Sequence, residues 1–92
     1  MRMDRTVAAR IAEKHLTRWR RLGYDRWYAM LDEKETLRVA DEAGTAYTVV
    51  VYALDDGEGR IRLCVAVDDG GWSAFRPSVR AETMRPDGTL VD

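Results

Sequence analysis

Two strand-like runs flank an Asp-Gly step in the second half of the chain, and this arrangement constrains the fold more than any other feature. The first run is Arg60–Val67, the step lies within Asp68–Gly71, and the second run is Trp72–Phe75. Such a step between strand-like runs is the strongest short-range signal for a β-hairpin. The sequence therefore predicts an antiparallel sheet with these runs as its third and fourth strands. Pro77 is expected to end the fourth strand or to mark it as an edge strand.

The first part of the chain has helical periodicity. Between about Asp4 and Leu22 the apolar residues recur at helical spacing and share one face, together with His15. Asp4 is placed to cap the start of this helix, and Gly23, which follows a basic last turn, is expected to be the residue that ends it. Tyr24–Leu31 is predicted to form a second, short helix, because its apolar residues also have helical spacing.

After the second helix, the period of the apolar residues changes to two. Thr36–Ala40 is predicted to be the first strand, and Tyr47–Leu54, which is apolar on both faces, a central one. The prediction is a single α+β domain over residues 1–92. In it, an N-terminal amphipathic helix, with a short second helix, packs on one face of a four-stranded antiparallel meander.

Composition and charge favour a globular protein and argue against some classes of function. Of the 92 residues, 46% are hydrophobic and 34% are charged, which is too apolar for a disordered segment. No apolar run is long enough to cross a bilayer, no secretory signal is expected at the N-terminus, and a lone cysteine suits a reducing compartment. A cytoplasmic protein without a membrane partner is therefore expected.

The charges are divided unevenly along the chain. The net charge is −1, but residues 1–38 carry ten Arg and Lys against six Asp and Glu, whereas residues 39–92 carry five against ten. This balance argues against a dedicated nucleic-acid-binding protein, which is usually strongly basic. A basic front and an acidic back are compatible with self-association, because each half offers the other's counter-charge.

The last third of the chain resembles some small uncharacterised bacterial proteins. The residues that carry the resemblance are Asp68–Pro77 and Pro86–Val91. They follow the pattern Asp-Asp-Gly-Gly-Trp-x-Ala-Phe-x-Pro and then Pro-Asp-Gly with a small hydroxyl residue. Between the two blocks, Val79–Met84 is more charged than the pattern leads us to expect. The resemblance implies no activity.

Residues that commonly carry chemistry are few and far apart. His15, the only histidine, lies on the apolar face of the first helix, and Cys64, the only cysteine, is predicted on the far face of the sheet. A Cys–His pair is therefore not expected, and one cysteine with one histidine cannot supply a usual tetrahedral zinc site. We predict no catalytic residue, metal or cofactor.

The acidic turns leave one alternative open. Asp41 and Glu42 precede the second strand, Asp68 and Asp69 follow the third, and these two turns lie at the same end of a meander. Four carboxylates there could hold a hard cation such as Ca²⁺ or Mg²⁺. Turn chemistry explains the aspartates equally well, because an Asp side chain caps the turn that it begins.

Two surfaces remain as candidates for binding once the core is assigned. The first is the sheet face away from the helices, which is predicted to carry Tyr52, Cys64 and Trp72. A partly apolar open face with an exposed Trp is typical of an interaction surface.

The second candidate is a basic stripe on the first helix. Arg10, Lys14, Arg18 and Arg21 recur at spacings that place them along one line, with Trp19 or Trp27 available to stack on bases. The stripe could equally meet an acidic protein surface, including the acidic half of a second copy. This pattern is also typical of a solvated helix face.

The sequence favours a non-enzymatic protein-interaction module, which binds a protein partner or a second copy of itself. The alternative is a nucleic-acid-binding accessory domain that uses the basic stripe. A small enzyme is the least favoured class, because the sequence contains no pairing of a nucleophile with a base and no phosphate-binding loop.

Overall fold

In a computed structural model of the protein, which describes residues 4–71 and 76–91, two helices are followed by four strands. The helices are α1 (Arg5–Arg20) and α2 (Tyr24–Ala29). The strands are β1 (Lys34–Ala40), β2 (Ala46–Asp55), β3 (Ile61–Asp68) and β4 (Ser78–Met84). Every neighbouring pair is antiparallel, and the order in the sheet is β1-β2-β3-β4. The predicted α+β meander with its helices on one face is confirmed.

Helix α1 begins where the sequence predicts. The Asp4 carboxylate accepts the backbone N–H groups of Thr6 and Val7 at 3.0 and 3.1 Å, which satisfies two donors that have no partner inside the helix. The apolar face of α1 lies mainly over β3 and β4. Ala8 and Ala12 are fully buried, and these small side chains let the helix backbone approach the sheet closely.

The alternation of side chains in β2 and β3 produces the core. The inward-facing residues of β2 and β3 are buried against the apolar face of α1, Trp27 of α2 and Met84 of β4. The inward-facing residues are Tyr47, Val49, Val51 and Ala53 on β2, and Ile61, Leu63, Val65 and Val67 on β3. Because the side-chain period of a strand is two, every second residue of the same strands lies on the opposite face.

Two predicted boundaries are wrong. Gly23 does not end α1 with a positive φ: Arg21 is the C-cap, and Gly23, in an extended conformation with φ −77°, is the N-cap of α2. The fourth strand begins after Pro77 rather than ending there, so β3 and β4 are joined by a connection of nine residues and not by a two-residue turn. The run Trp72–Phe75, which we predicted as that strand, lies outside the described residues.

The end of the chain returns to the sheet on the outer side of β4. Met84 pairs with Leu90 in an isolated antiparallel bridge, and the N–H of Val91 donates to the carbonyl oxygen of Thr83 at 2.8 Å. Leu90 also packs against the core. None of the described helices has the length and apolar character needed to span a membrane.

Candidate interaction surfaces

The open face of the sheet, meaning the face opposite the helices, contains two of the three residues predicted for it. Tyr52 on β2 lies directly opposite Cys64 on β3, which in turn lies opposite Ala81 on β4. Cys64 is buried and Tyr52 is half-buried. Burial raises the pKa of the Tyr52 hydroxyl. Electrostatic interaction with the Cys64 side chain and a hydrogen bond to it raise this pKa further. The third predicted residue, Trp72, lies outside the described residues.

Apolar side chains surround this pair and form a patch across three strands. The open-face patch consists of Val50, Tyr52, Leu54, Cys64, Ala66, Val79 and Ala81. Two of its members are strongly solvent-exposed, Leu54 at 50% and Val79 at 46%. The alternation of side chains in β2 and β3 predicts which of their residues lie in the patch. Val79 and Ala81 are missed because the fourth strand is predicted to lie before Pro77.

Basic side chains border the open-face patch. Lys34 and Arg38 lie on the same face of β1, and Arg62 lies on that face of β3 beside Leu54. All three are exposed. Asp68 lies on the same face at the far end of β3. The border of the patch is therefore more cationic than anionic.

The basic stripe of α1 is exposed along its whole length. Arg10, Lys14, Arg18 and Arg21 are all solvent-exposed, as predicted. None of these four side chains is within ion-pair distance of a carboxylate in the described part of the chain.

The two tryptophans expected to help the stripe bind bases are not available. Trp19 is buried on the inner face of α1, and the Cζ atom of Arg26 lies 4.9 Å from the centre of its ring. Trp27 is fully buried, and its indole N–H donates to the carbonyl oxygen of Trp19 at 2.8 Å. Neither ring can therefore serve as a stacking platform for a nucleic acid.

Two arginines near the stripe are held in ion pairs that fasten the helices to the sheet. Arg20 contacts Glu13 at 2.7 Å and Glu82 of β4 at 2.5 Å, and these carboxylates raise its pKa. Arg26 contacts Glu35 of β1 at 3.2 Å. Of these contacts, the Arg20–Glu82 pair joins the basic first part of the chain to the acidic second part within one molecule.

His15 is buried on the inner face of α1, and the sheet separates it from Cys64, as predicted. Burial lowers the pKa of His15 below its ordinary value of 6.5, and the charges of Arg18 and Lys14 lower it further. Arg26 and Glu35, which form an ion pair, line the small cavity beside it.

We expect stability to fall when the pH drops below about 6.5. The unfolded chain then binds a proton at His15 that the folded protein excludes, so the free energy of unfolding decreases by at most about 1.4 kcal/mol per pH unit. Above that pH the histidine is neutral in both states and contributes no dependence. Urea unfolding of the wild type and of His15→Leu between about pH 5.5 and 7.5 checks this. Equal pH slopes in the two proteins would contradict it.

The acidic turns do not form a metal site within the described residues. The part of the chain covered by residues 4–71 and 76–91 contains no group of three or more His, Cys, Asp or Glu side chains that could hold a metal ion. The aspartates instead cap their own turns: Asp41 accepts the N–H of Thr45, and Asp68 accepts that of Gly70, each at 2.8 Å. Turn capping is the alternative that these contacts support.

Comparison of the chain with models of protein families, with curated proteins and with solved structures gave no match. The resemblance of Asp68–Pro77 and Pro86–Val91 to small bacterial proteins stays a prediction. A function for this chain therefore has to be argued from its surfaces.

Proposed function

We propose that the protein is a non-enzymatic interaction module that binds a partner protein through the open face of its sheet. The observation that carries this proposal is the open-face patch, which neither helix covers and in which Leu54 and Val79 are about half exposed. Large apolar side chains that remain in solvent on one continuous face are typical of binding surfaces.

The size of the face suits a partner of modest footprint. With strands about 4.8 Å apart and a rise of about 3.3 Å per residue, four strands of about seven residues present roughly 330–440 Å². The open-face patch is the apolar part of this area. A stable interface usually covers about 800 Å² on each partner, so we propose a transient complex.

The charges around the patch determine which partner fits best. Lys34, Arg38 and Arg62 lie on this face, and Asp68 is the acidic residue at its far end. A partner surface with an apolar centre and carboxylates around it would complement this arrangement. A second copy docked face to face would bring the same cations to the border, and we therefore favour a different protein over self-association.

The positions of His15 and Cys64, the side chains best suited by their chemistry to act as a base and a nucleophile, further support a binding role. His15 and Cys64 are buried on opposite faces of the sheet, which keeps them from acting as a base and nucleophile pair. The nucleic-acid alternative has weaker support, because Trp19 and Trp27 are buried and only the charges of the basic stripe remain.

The proposal is tested with an open-face variant, Leu54→Asp combined with Val79→Asp. Tyr28→Asp is the matched control, because Tyr28 is an apolar side chain that is 56% exposed but lies on α2, away from this face. Each protein is immobilised and incubated with nuclease-treated native lysate, and the retained proteins are quantified by mass spectrometry. Circular dichroism first establishes that all three proteins are folded.

We expect the wild type and Tyr28→Asp to retain at least one lysate protein equally, and the open-face variant to retain about tenfold less of it. The reason is that a charge buried in the centre of an interface weakens binding by more than about 1.4 kcal/mol. Equal retention by all three proteins would contradict the proposal. Retention that is seen only in a parallel lysate without nuclease treatment would favour the nucleic-acid alternative instead. A dimer of the protein alone that dissociates in the open-face variant would make a second copy the occupant and overturn the choice of a different protein.

A further inference from the structure

Strand β1 is an edge of the sheet, and the hydrogen bonds of its hairpin reveal which backbone groups it leaves free. The N–H of Asp41 donates to the carbonyl oxygen of Thr45 at 2.9 Å, which marks this pair as a hydrogen-bonded position of the ladder, while the N–H of Thr45 donates to the Asp41 carboxylate. Hydrogen-bonded pairs alternate along an antiparallel ladder. Leu37 and Val39 therefore direct their N–H and C=O groups toward β2. The residues that alternate with them, Thr36, Arg38 and Ala40, direct theirs away from the sheet.

The two edges of the sheet differ in how they are occupied. The same alternation directs the carbonyl of Thr83 outward from β4, and there it accepts the N–H of Val91. The outer side of β4 is thus partly covered by the end of the chain. Within the described residues, β1 has no strand on its outer side, and its free edge extends over about five residues from Thr36 to Ala40.

A groove separates β1 from α1, because the helix lies over β3 and β4 and leaves the inner face of β1 partly uncovered. Leu37 is 40% exposed on the floor of this groove, next to Val39. The groove opens into a cavity of about 480 Å³ between Val7 and Ile11 of α1 and the β1–β2 turn. One helical turn beyond Lys14, a smaller cavity of about 160 Å³ lies between His15 and Leu37.

Cationic side chains lie on both sides of β1, along α1 at the groove and on the open face of the sheet. Arg10, Lys14 and Arg18 of α1 line the two cavities and have no ion-pair partner in the described part of the chain. On the opposite face of β1, Lys34 and Arg38 are exposed. Three carboxylates line the turn end of the larger cavity: Asp4, which caps α1, Asp41, which caps the β1–β2 turn, and Glu42.

From these contacts we propose that β1 accepts an extended acidic and apolar segment of a partner protein as a fifth strand. The backbone of the segment would pair with the outward groups of Thr36, Arg38 and Ala40. Because side chains alternate, one set would enter the groove above Leu37 and Val39 and should be apolar. The other set would lie on the open face beside Lys34 and Arg38 and should be acidic, since opposite charges stabilise cross-strand neighbours.

Charge also decides between this segment and a second copy of the chain. Pairing β1 with the same strand of another molecule would bring a second Lys34 and Arg38 to one face and a second basic α1 to the same groove. An acidic segment neutralises these cations, and its association would be accelerated by them. Lys34 and Arg38 border both sites, but the strand site uses the edge of β1 and the groove rather than the open-face patch, and neither proposal depends on the other.

The probe for this site is a labelled, acetylated peptide in which Val and Glu alternate over seven residues, added to the 92-residue protein at low ionic strength. The control peptide has Lys in place of Glu. Binding is followed by fluorescence anisotropy and by hydrogen exchange of the backbone amides in NMR spectra. We expect the acidic peptide to bind at least about tenfold more tightly than the basic one, and added salt to weaken it.

Strand addition has its own signature in hydrogen exchange. We expect the peptide to slow exchange at the amides of Thr36, Arg38 and Ala40, while those of Leu37 and Val39 are already protected by β2. Protection without this alternation, equal binding of the two peptides, or no binding at millimolar concentration would overturn the proposal.

Two variants test the site from different directions. Thr36→Pro removes an outward N–H from an edge strand, where proline is tolerated, and should weaken binding about tenfold. Leu37→Asp places a charge on the partly exposed groove floor and should weaken it similarly, which keeps the test valid if the proline variant fails to fold. The open-face variant, Leu54→Asp with Val79→Asp, should bind the peptide like the wild type. Failure of this proposal is thereby distinguished from failure of the proposed function.

Discussion

Replacing Trp27 with alanine is expected to lower the free energy of unfolding by about 3–5 kcal/mol, a large part of the roughly 5–14 kcal/mol usual for a chain of this length. Trp27 is 0% exposed and fills the space between α2 and the sheet. Its indole N–H also donates to the carbonyl oxygen of Trp19 at 2.8 Å, which joins the two helices. Urea unfolding of the wild type and the variant measures the difference.

Two further variants separate packing from hydrogen bonding at this position. Trp27→Phe keeps most of the apolar volume and removes the indole donor. Because the carbonyl of Trp19 still accepts the N–H of Leu22 at 3.0 Å, we expect a smaller loss of about 1–2 kcal/mol. Tyr28→Ala, on the exposed side of the same helix, should change stability by about 0.5 kcal/mol or less. A loss for Trp27→Ala no greater than that for Tyr28→Ala would show that Trp27 is not an anchor of the core.

The sequence predicts well wherever a local pattern and the tertiary structure agree. Asp4 is a good N-cap by residue type, and its carboxylate accepts two N–H groups of the first turn of α1. In β3, Leu63 and Val65 alternate with Arg62 and Cys64, and this period of two decides which side chains lie on the core face. Burial specifies such a register strongly, because a shift by one residue would expose the whole apolar set.

The position of the fourth strand is not predictable from apolar periodicity, because its pattern is not apolar. The inner face of β4 includes Arg80 and Glu82, which are charged residues at the edge of the sheet. Glu82 is tolerated there because Arg20 of α1 forms an ion pair with it. This long-range pairing replaces the apolar alternation on which the prediction of strands relies. The signal that the sequence does offer is Pro77 immediately before β4, where its missing N–H costs no ladder hydrogen bond.

The interaction surfaces are predictable as residue types but not as shapes. The basic stripe of α1 follows from helical spacing alone. Its position along a groove beside β1 depends on α1 lying over β3 and β4, which periodicity cannot determine. In the same way, spacing places Trp19 and Trp27 near the stripe, but only the packing of the two helices shows that both rings are buried.

A second large effect is expected at the turn between β2 and β3, where Gly59→Ala should lower the free energy of unfolding by about 2–5 kcal/mol. Part of this loss, about 1–2 kcal/mol, is the cost of a side chain in the left-handed region, since the φ of Gly59 is +80°. The rest is steric, because a Cβ at this position would lie 2.7 Å from the Cγ atom of Pro86. Relieving such a contact shifts the backbone and typically costs about 1–3 kcal/mol.

A matched glycine in the same turn isolates the steric part. Gly57 has nearly the same φ, +85°, but a Cβ added there would meet no atom within 4 Å, so Gly57→Ala should show only the conformational cost of about 1–2 kcal/mol. Adding Pro86→Ala to Gly59→Ala removes the Cγ atom that causes the clash. The double variant should therefore be more stable than the sum of the single changes predicts, by about 1–3 kcal/mol. Strict additivity in urea unfolding would contradict the clash. The Tyr24 hydroxyl donates to the carbonyl oxygen of Gly59 at 2.5 Å, so the clash should also disturb the packing of α2. This disturbance should change the tyrosine and tryptophan fluorescence of Gly59→Ala, whereas Gly57→Ala should leave the fluorescence unchanged.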